Sequence, residues 1–365
     1  MVLRSKCLLH HGRFTFPTLL GDSVIVMTIA YRPYAPADLP ALRAVHDACR
    51  ETDRIDPHSV CYRLPNLSRE RYAEHITLPE ATRVAEVGGQ VIAHGFMEVW
   101  GFEDRCYLWQ VWVDPAFRGQ GIGTTLLEWG EQKAQELHRG NQHSALHLAN
   151  ATEHERDAVA LLQEHGYQLN FVSVELAFDA AMTIPVAPDI AGISFGPLER
   201  THTGAISYAL SEANLTEFHG AELQARIADQ EHEWLGRIRD SAVELSIVAY
   251  EEATQAVVGA YLCNRRERVG EIAQVAVRAP WRNRGIARSL ALRSLQQLKA
   301  AGCDTVRLFT SIGPNETDPA DGPYAMYRKF GFYPIARHLR FRKPMATKPA
   351  SVLDSSTNGI LTAGM

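Results

Sequence analysis

Two short stretches carry the residues best suited to chemistry. One is RGQGIG (Arg118, Gly119, Gln120, Gly121, Ile122, Gly123) and the other RNRGIA (Arg282, Asn283, Arg284, Gly285, Ile286, Ala287). Glycines permit backbone conformations with positive φ, so neighbouring amides can turn into one concavity. A helix starting at the same point adds unpaired N–H groups and the positive end of its dipole. The product is a cradle for a phosphate or pyrophosphate, to which an arginine adds fixed charge. Other phosphate loops fit less well. Neither copy has the Gly-Lys-Ser/Thr of a Walker motif, and Gly119, Gly121 and Gly123 alternate rather than follow dinucleotide-loop spacing. HERD (His154 to Asp157) fails the HExxH pattern and no CxxC pair occurs, so no metal site is expected.

Each cradle needs a strand before it and a helix after it. Apolar runs at Tyr107–Val113 and Ile272–Val277 supply the strands, and amphipathic stretches near 122–137 and 286–300 supply the helices. The pairing extends well beyond the loops. Arg118 and Arg282 lie 164 residues apart, as do Gly121 and Gly285, Ile29 and Ile193, and Pro33 and Pro197, while Gly166 and Gly331 are offset by 165. Ordered anchors at one spacing indicate a tandem duplication. The expected units are 28–180 and 192–345, joined by a linker over 181–191. Residues 1–27 read as a poorly ordered leader (or an overextended start before Met27) and 346–365 as a disordered tail. Each unit is expected to be α/β (α+β), with a mixed, mostly antiparallel central sheet flanked by helices.

Composition limits the possible partners. Of 365 residues, 46% are hydrophobic and 22% charged, as in a soluble globular protein, and two domains fit this length. A net charge of -5 gives no general attraction to nucleic acid or membrane surfaces, and no apolar run reaches the ~18 residues of a membrane span. Six scattered cysteines suit a reducing compartment, so a cytoplasmic location is expected. The chain is expected to be a monomer or a homodimer.

The two cradles resemble the hallmark of the GNAT superfamily of N-acetyltransferases, a Gln/Arg-x-x-Gly-x-Gly/Ala loop after a central strand. That superfamily's later Tyr-x-x-x-Gly-Phe also appears, as YRKFGF (Tyr327 to Phe332). The resemblance covers both units. It implies acetyl-CoA as co-substrate, its pyrophosphate held by residues 118–123 and 282–287. It also implies that Val111 and Val113, or Val275, Ala276 and Val277, offer backbone groups to the pantetheine and thioester. A bulge is the usual means of opening a strand edge in this way.

Acetyl transfer to an amine needs a base, because the acceptor arrives mostly as an ammonium, and it gains from an acid that protonates the leaving thiolate. A donor to the developing oxyanion completes the demand. The resemblance assigns the base to Glu271, six residues before Val277, and the acid to Tyr327, four before Gly331. Tyr324 competes for the acid role. Counting the same way in the first unit gives Tyr107 and Leu162, so that unit is expected to be degenerate. Acidic residues in the divergent segments (Asp53, Asp56, Glu212, Glu217, Glu222) are expected mainly on solvated faces. The expected activity is acetyl-CoA-dependent N-acetylation of a small-molecule amine by the C-terminal unit. The alternatives are a non-catalytic acyl-CoA sensor and a protein N-terminal or lysine acetyltransferase.

Overall fold

A computed structural model describes residues 13–20, 23–57, 59, 71–73, 76–100, 105–139, 145–214 and 220–345. The first unit comprises β1 (Arg13–Leu20), β2 (Ser23–Pro33), α1 (Leu39–Thr52), β3 (Arg71–Ala73), β4 (Ile76–Thr77), α2 (Leu78–Ala81), β5 (Thr82–Val87), β6 (Gln90–Trp100), β7 (Arg105–Val113), α3 (Ile122–His138), β8 (Ala145–Thr152), α4 (Arg156–Glu164) and β9 (Gln168–Asp179). The second comprises β10 (Ile193–Pro197), α5 (Thr203–Asn214), α6 (Gly220–Arg239), β11 (Ile247–Glu251), β12 (Val257–Arg266), β13 (Val269–Val277), α7 (Ile286–Ala300), β14 (Thr305–Ile312), α8 (Gly322–Lys329) and β15 (Tyr333–Pro344).

The leader expectation needs correcting over residues 13–27. Arg13–Leu20 and Ser23–Pro33 pair antiparallel, from Arg13↔Ala30 to Leu20↔Ser23. Apolar and β-branched residues dominate both runs, with Gly21-Asp22 between them, which is a hairpin signal rather than a break. Residues 1–12 and the expected tail at 346–365 lie outside the described residues.

Thirteen strands form one continuous sheet, in the order β1-β2-β5-β6-β7-β8-β15-β9-β14-β13-β12-β11-β10. Its centre shows an exchange. The last strand of the second unit, β15, pairs with β8 of the first unit along His338↔Thr152 to Pro344↔Leu146. Conversely β9, the last strand of the first unit, pairs with β14 of the second from Thr305↔Asp179 to Ile312↔Val172. The strands β15 and β9 also pair with each other, closing the seam. Val172 to Phe178 of β9 are buried without interruption, as expected for a central strand covered on both faces.

Helices flank both faces. Gly270 on β13 packs against Leu298 of α7, and Ile272 shares a core cluster with Leu295 and Leu298. The opposite face of the same strands meets α5, where Ala260 and Ala276 pack with Ile206 and Leu210. In the first unit Trp109 lies against Gly130 of α3, while Trp112 on the other face stands 5.6 Å from His46 of α1.

Candidate active site

Each cradle starts where a parallel strand pair comes apart. The β13–β14 ladder runs only from Val269↔Thr305 to Glu271↔Arg307, and the β7–β8 ladder ends at Trp109↔Ala149. Beyond those rungs Val275, Ala276 and Val277, and likewise Val111 and Val113, are paired on one side only. The unpaired edge leaves N–H and C=O groups available to an extended ligand.

The loops have matching backbones. Gly119 and Gly121 have φ of 75° and 78°, and Asn283 and Gly285 have 62° and 81°. Asparagine is among the few residues that tolerate this left-handed region, which is how the second loop keeps the shape with Asn283 in place of Gly119. Gly121 and Gly285 cap the N-termini of α3 and α7, aiming the unpaired amides outward from the start of each helix. Arg118 Nε donates to the Val113 carbonyl at 3.2 Å and Arg282 Nε to the Val277 carbonyl at 3.1 Å. Both guanidinium groups are thereby anchored identically.

Their outer ends differ. Arg118 Nη1 and Nη2 each donate to Asp53 at 2.7 Å, a bidentate pair that raises the guanidinium's pKa still further above its ordinary value. Half-buried Glu155, whose side chain accepts from the Thr152 amide at 2.6 Å, adds a second carboxyl beside that pair, and desolvation raises its pKa. Asp53 is therefore no solvated acid. By the 164-residue repeat the counterpart of Asp53 is Glu217, which lies outside the described residues; Glu212, near the end of α5, takes other partners. It accepts from the Ala279 amide at 2.9 Å and lies 3.7 Å from Arg278. Arg282 meets no carboxylate among the described residues. Arg284 lies over the Trp281 ring at 4.7 Å. Between residues 278 and 292 there are four arginines and no acid, whereas 114–128 holds Arg118 with Asp114 and Glu128.

The strands before the cradles differ as well. The β12–β13 register shifts between Leu262 and Cys263, leaving Ala273 as the extra residue of a bulge, whereas β6–β7 runs unbroken from Ala93↔Val113 to Trp100↔Cys106. The bulge changes the equivalences obtained by counting. Gly270 and Ile272 face α7, so Glu271 faces α5. In the unbulged β7, Tyr107 faces α3, its hydroxyl 3.3 Å from His138 Nδ1, and Trp109 faces Gly130. The first-unit position on the face of Glu271 is thus Leu108, not Tyr107. Neither residue is a carboxylate.

Tyr327, on α8, is buried on the other face. Its hydroxyl is 3.1 Å from that of Tyr261, and burial pushes its pKa up to about 12. Tyr261 stands opposite Val275 on the splayed part of β13. The structure therefore places Glu271 and Tyr327 on opposite faces, flanking the gap between β13 and β14. Tyr324 is also buried, and burial together with the nearby charge of Asp318 raises its pKa. At the rung of Tyr261 and Val275 the first unit has Gly95 opposite Val111. There a Cβ on Gly95 would come within 2.3 Å of the Trp109 ring. An indole and Leu162 thus take the place of the two phenols.

The sequence profile of the acetyltransferase (GNAT) family matches residues 45–167 and again 208–332. The chain belongs to the GNAT acetyltransferase family. Among solved structures, a GCN5-related N-acetyltransferase from Sphaerobacter thermophilus is 22% identical with a TM-score of 0.70, over 87% of this chain and 96% of that one. A tandem GNAT protein from the clavulanic acid biosynthesis pathway is 16% identical with a TM-score of 0.60, over 88% of this chain and all of that one. A glucosamine N-acetyltransferase region of a fungal multi-domain β-N-acetylglucosaminidase reaches a TM-score of 0.63 at 16% identity, over 88% of this chain and 39% of that one. No curated protein matches the sequence. The family match establishes two GNAT units in tandem and an acyltransferase, and the solved structures share the fold. No helix among the described residues is long and apolar enough to cross a membrane.

Sequence counting missed the Asp53–Arg118 pair and the bulge. The contrast of four arginines with one was available in the sequence. Nothing local marks Asp53 as the partner of a residue 65 positions away.

Proposed function

We propose that this GNAT protein transfers the acetyl group of acetyl-CoA to a small-molecule amine, with the chemistry in its second unit. The observation that carries this reading is the state of the two cradle arginines. Arg118 is held in a bidentate pair with Asp53, while the outer nitrogens of Arg282 meet no carboxylate among the described residues. A pyrophosphate brings negative charge, so it is attracted to residues 282–287 and opposed at the first cradle by Asp53 and Glu155. Residues Arg282, Asn283, Arg284, Gly285, Ile286 and Ala287 hold the pyrophosphate, and the free edge of Val275 to Val277 takes the pantetheine.

Bound acetyl-CoA would supply the activated acyl group. Glu271 removes the ammonium proton of the acceptor, directly or through water. Tyr327, protonated through neutral pH, donates to the leaving sulfur, and the bulge at Ala273 frees backbone N–H groups toward the oxyanion. We place the reaction in the cytoplasm, in keeping with the free thiols of Cys49, Cys106, Cys263 and Cys303, and expect a monomer or homodimer.

The test is native mass spectrometry with CoA, followed by acetylation assays across a panel of amines. One CoA per chain, lost in Arg282→Ala and kept in Arg118→Ala, supports the reading. Two per chain, or loss only with Arg118→Ala, overturns it. An acyl-CoA sensor is the second reading, favoured by the burial of the Tyr327 hydroxyl against Tyr261. CoA binding without acetylation of any amine or peptide would select it.

A further inference from the structure

The linker over 181–191 is fastened along α7, the helix that starts at the second cradle. Lys299 Nζ donates to the Met182 carbonyl at 3.0 Å, Gln296 Nε2 to the Pro185 carbonyl at 3.2 Å, and Ser289 Oγ to the Pro188 carbonyl at 2.8 Å. Arg293 joins them, its Nη2 donating to Asp189 at 2.7 Å and its Nε to Ser289 Oγ at 3.2 Å. Spacings of three and four residues put these side chains on one helix face. The linker's apolar side chains turn inward as well. Ile184 and Ile190 pack on the core of the second unit, and Ala187 is buried. At the far end Ile190 reaches the cradle itself, where a Cβ added to Gly285 would lie 3.8 Å from Ile190 Cδ1. By the 164-residue repeat the counterparts of Ser289 and Gln296 are Thr125 and Gln132. Both bond within their own helix, Thr125 Oγ1 to the Gly121 carbonyl and Gln132 Nε2 to Glu136.

Ser289 joins the linker to the anion site. It is fully buried one turn after Gly285, and its amide donates to the Gly285 carbonyl at 3.0 Å. The amides of that first turn are the ones that face a pyrophosphate, so a contact fixing the turn preorganises the cradle. We propose that the linker is a positioning strap for the second cradle, acting through Ser289 and Ile190 to set its affinity for acetyl-CoA. This rests on the reading that residues 282–287 hold the pyrophosphate. The Asp189–Arg293 pair adds little alone, because Asp189 is fully exposed. Coupling of this kind is reciprocal, so bound CoA holds the linker against α7. The segment that joins the two units thereby registers whether the second cradle is filled.

The test uses the full-length chain with CoA and acetyl-CoA. By calorimetry Ser289→Ala and Ile190→Ala should each weaken CoA binding about tenfold, and Thr125→Ala less than about twofold. With the best amine of the panel, the first two should raise the KM for acetyl-CoA about tenfold and leave kcat within about twofold. Saturating CoA should also slow proteolysis of the parent between Met182 and Ala187 about fivefold, Met182 and Val186 being exposed there. That measurement keeps the inference falsifiable if Ser289→Ala fails to fold. CoA affinity within about twofold of the parent in either Ser289→Ala or Ile190→Ala overturns the strap. So does a loss carried by kcat alone, or cleavage that CoA leaves unchanged. CoA binding that survives Arg282→Ala, or a parent that binds none, instead removes the reading of the second cradle.

Discussion

The two cradles have nearly the same backbone and opposite electrostatics. Residues 118–123 look the more regular, with three glycines, yet their arginine is already paired with Asp53 and a second carboxyl lies beside it. Residues 282–287 replace one glycine with Asn283 at the same positive φ and keep an arginine with no acidic partner among the described residues. Loop shape is set by a few φ values and persists after duplication. The free energy of holding an anion depends on charges that a single distant carboxylate can cancel.

The strongest way to break this contrast is at the base. Glu271→Gln is expected to lower kcat about 10²- to 10⁴-fold with acetyl-CoA affinity unchanged, and steady-state kinetics with titration of CoA will show it. Leu108→Ala on the equivalent face should leave kcat alone. A kcat that survives Glu271→Gln moves the chemistry elsewhere.

Next come the arginines. Arg282→Ala should weaken CoA binding about 10- to 100-fold, the worth of a charge-assisted contact, and Arg118→Ala less than twofold, both by calorimetry. Equal losses would erase the difference between the units.

Asp53→Asn sharpens the comparison differently. It should reduce unfolding free energy by about 2 kcal/mol, since Asp53 is buried and Arg118 about a quarter exposed. It should also raise the CoA count above one per chain at high ligand. Denaturant titration and native mass spectrometry check the two effects.

The smallest effect concerns pH. In the first unit His94 is fully buried, stacked on Trp112 at 4.8 Å, and burial pushes its pKa down to about 3. The corresponding rung of the second unit is Ala260 opposite Ala276. A group whose pKa falls on folding contributes stability above its unfolded pKa and loses it as pH drops toward the folded value. Between pH 6.5 and 5.5 His94 should therefore cost the chain about 1 kcal/mol, added to losses from His46 and His147, whose pKa values burial also lowers, and His94→Phe should remove its own share of the slope in urea titrations at the two pH values.

Much of this was legible in the sequence. The α7 span of 286–300, the two cradles and the 164-residue repeat follow from local periodicity and turn chemistry. The hairpin at 13–33 was obscured because the basic and polar residues around it resemble leader sequence. The bulge at Ala273 was invisible because one extra residue in a strand leaves no compositional mark, and it makes Leu108 rather than Tyr107 the counterpart of Glu271. Asp53 and Glu212 looked like solvated acids because their partners Arg118 and Arg278 are remote in sequence and near only after folding, whereas Asp56 does stand exposed beside Arg307.

The exchange of β9 and β15 sets the fate of the duplicated halves. Each half surrenders its closing strand to the other's side of the sheet, so the pair is fastened like a clasp rather than strung like beads. A protease cut within 181–191 would sever the chain without parting its halves. Neither half could drift into an independent protein without first reclaiming its own last strand.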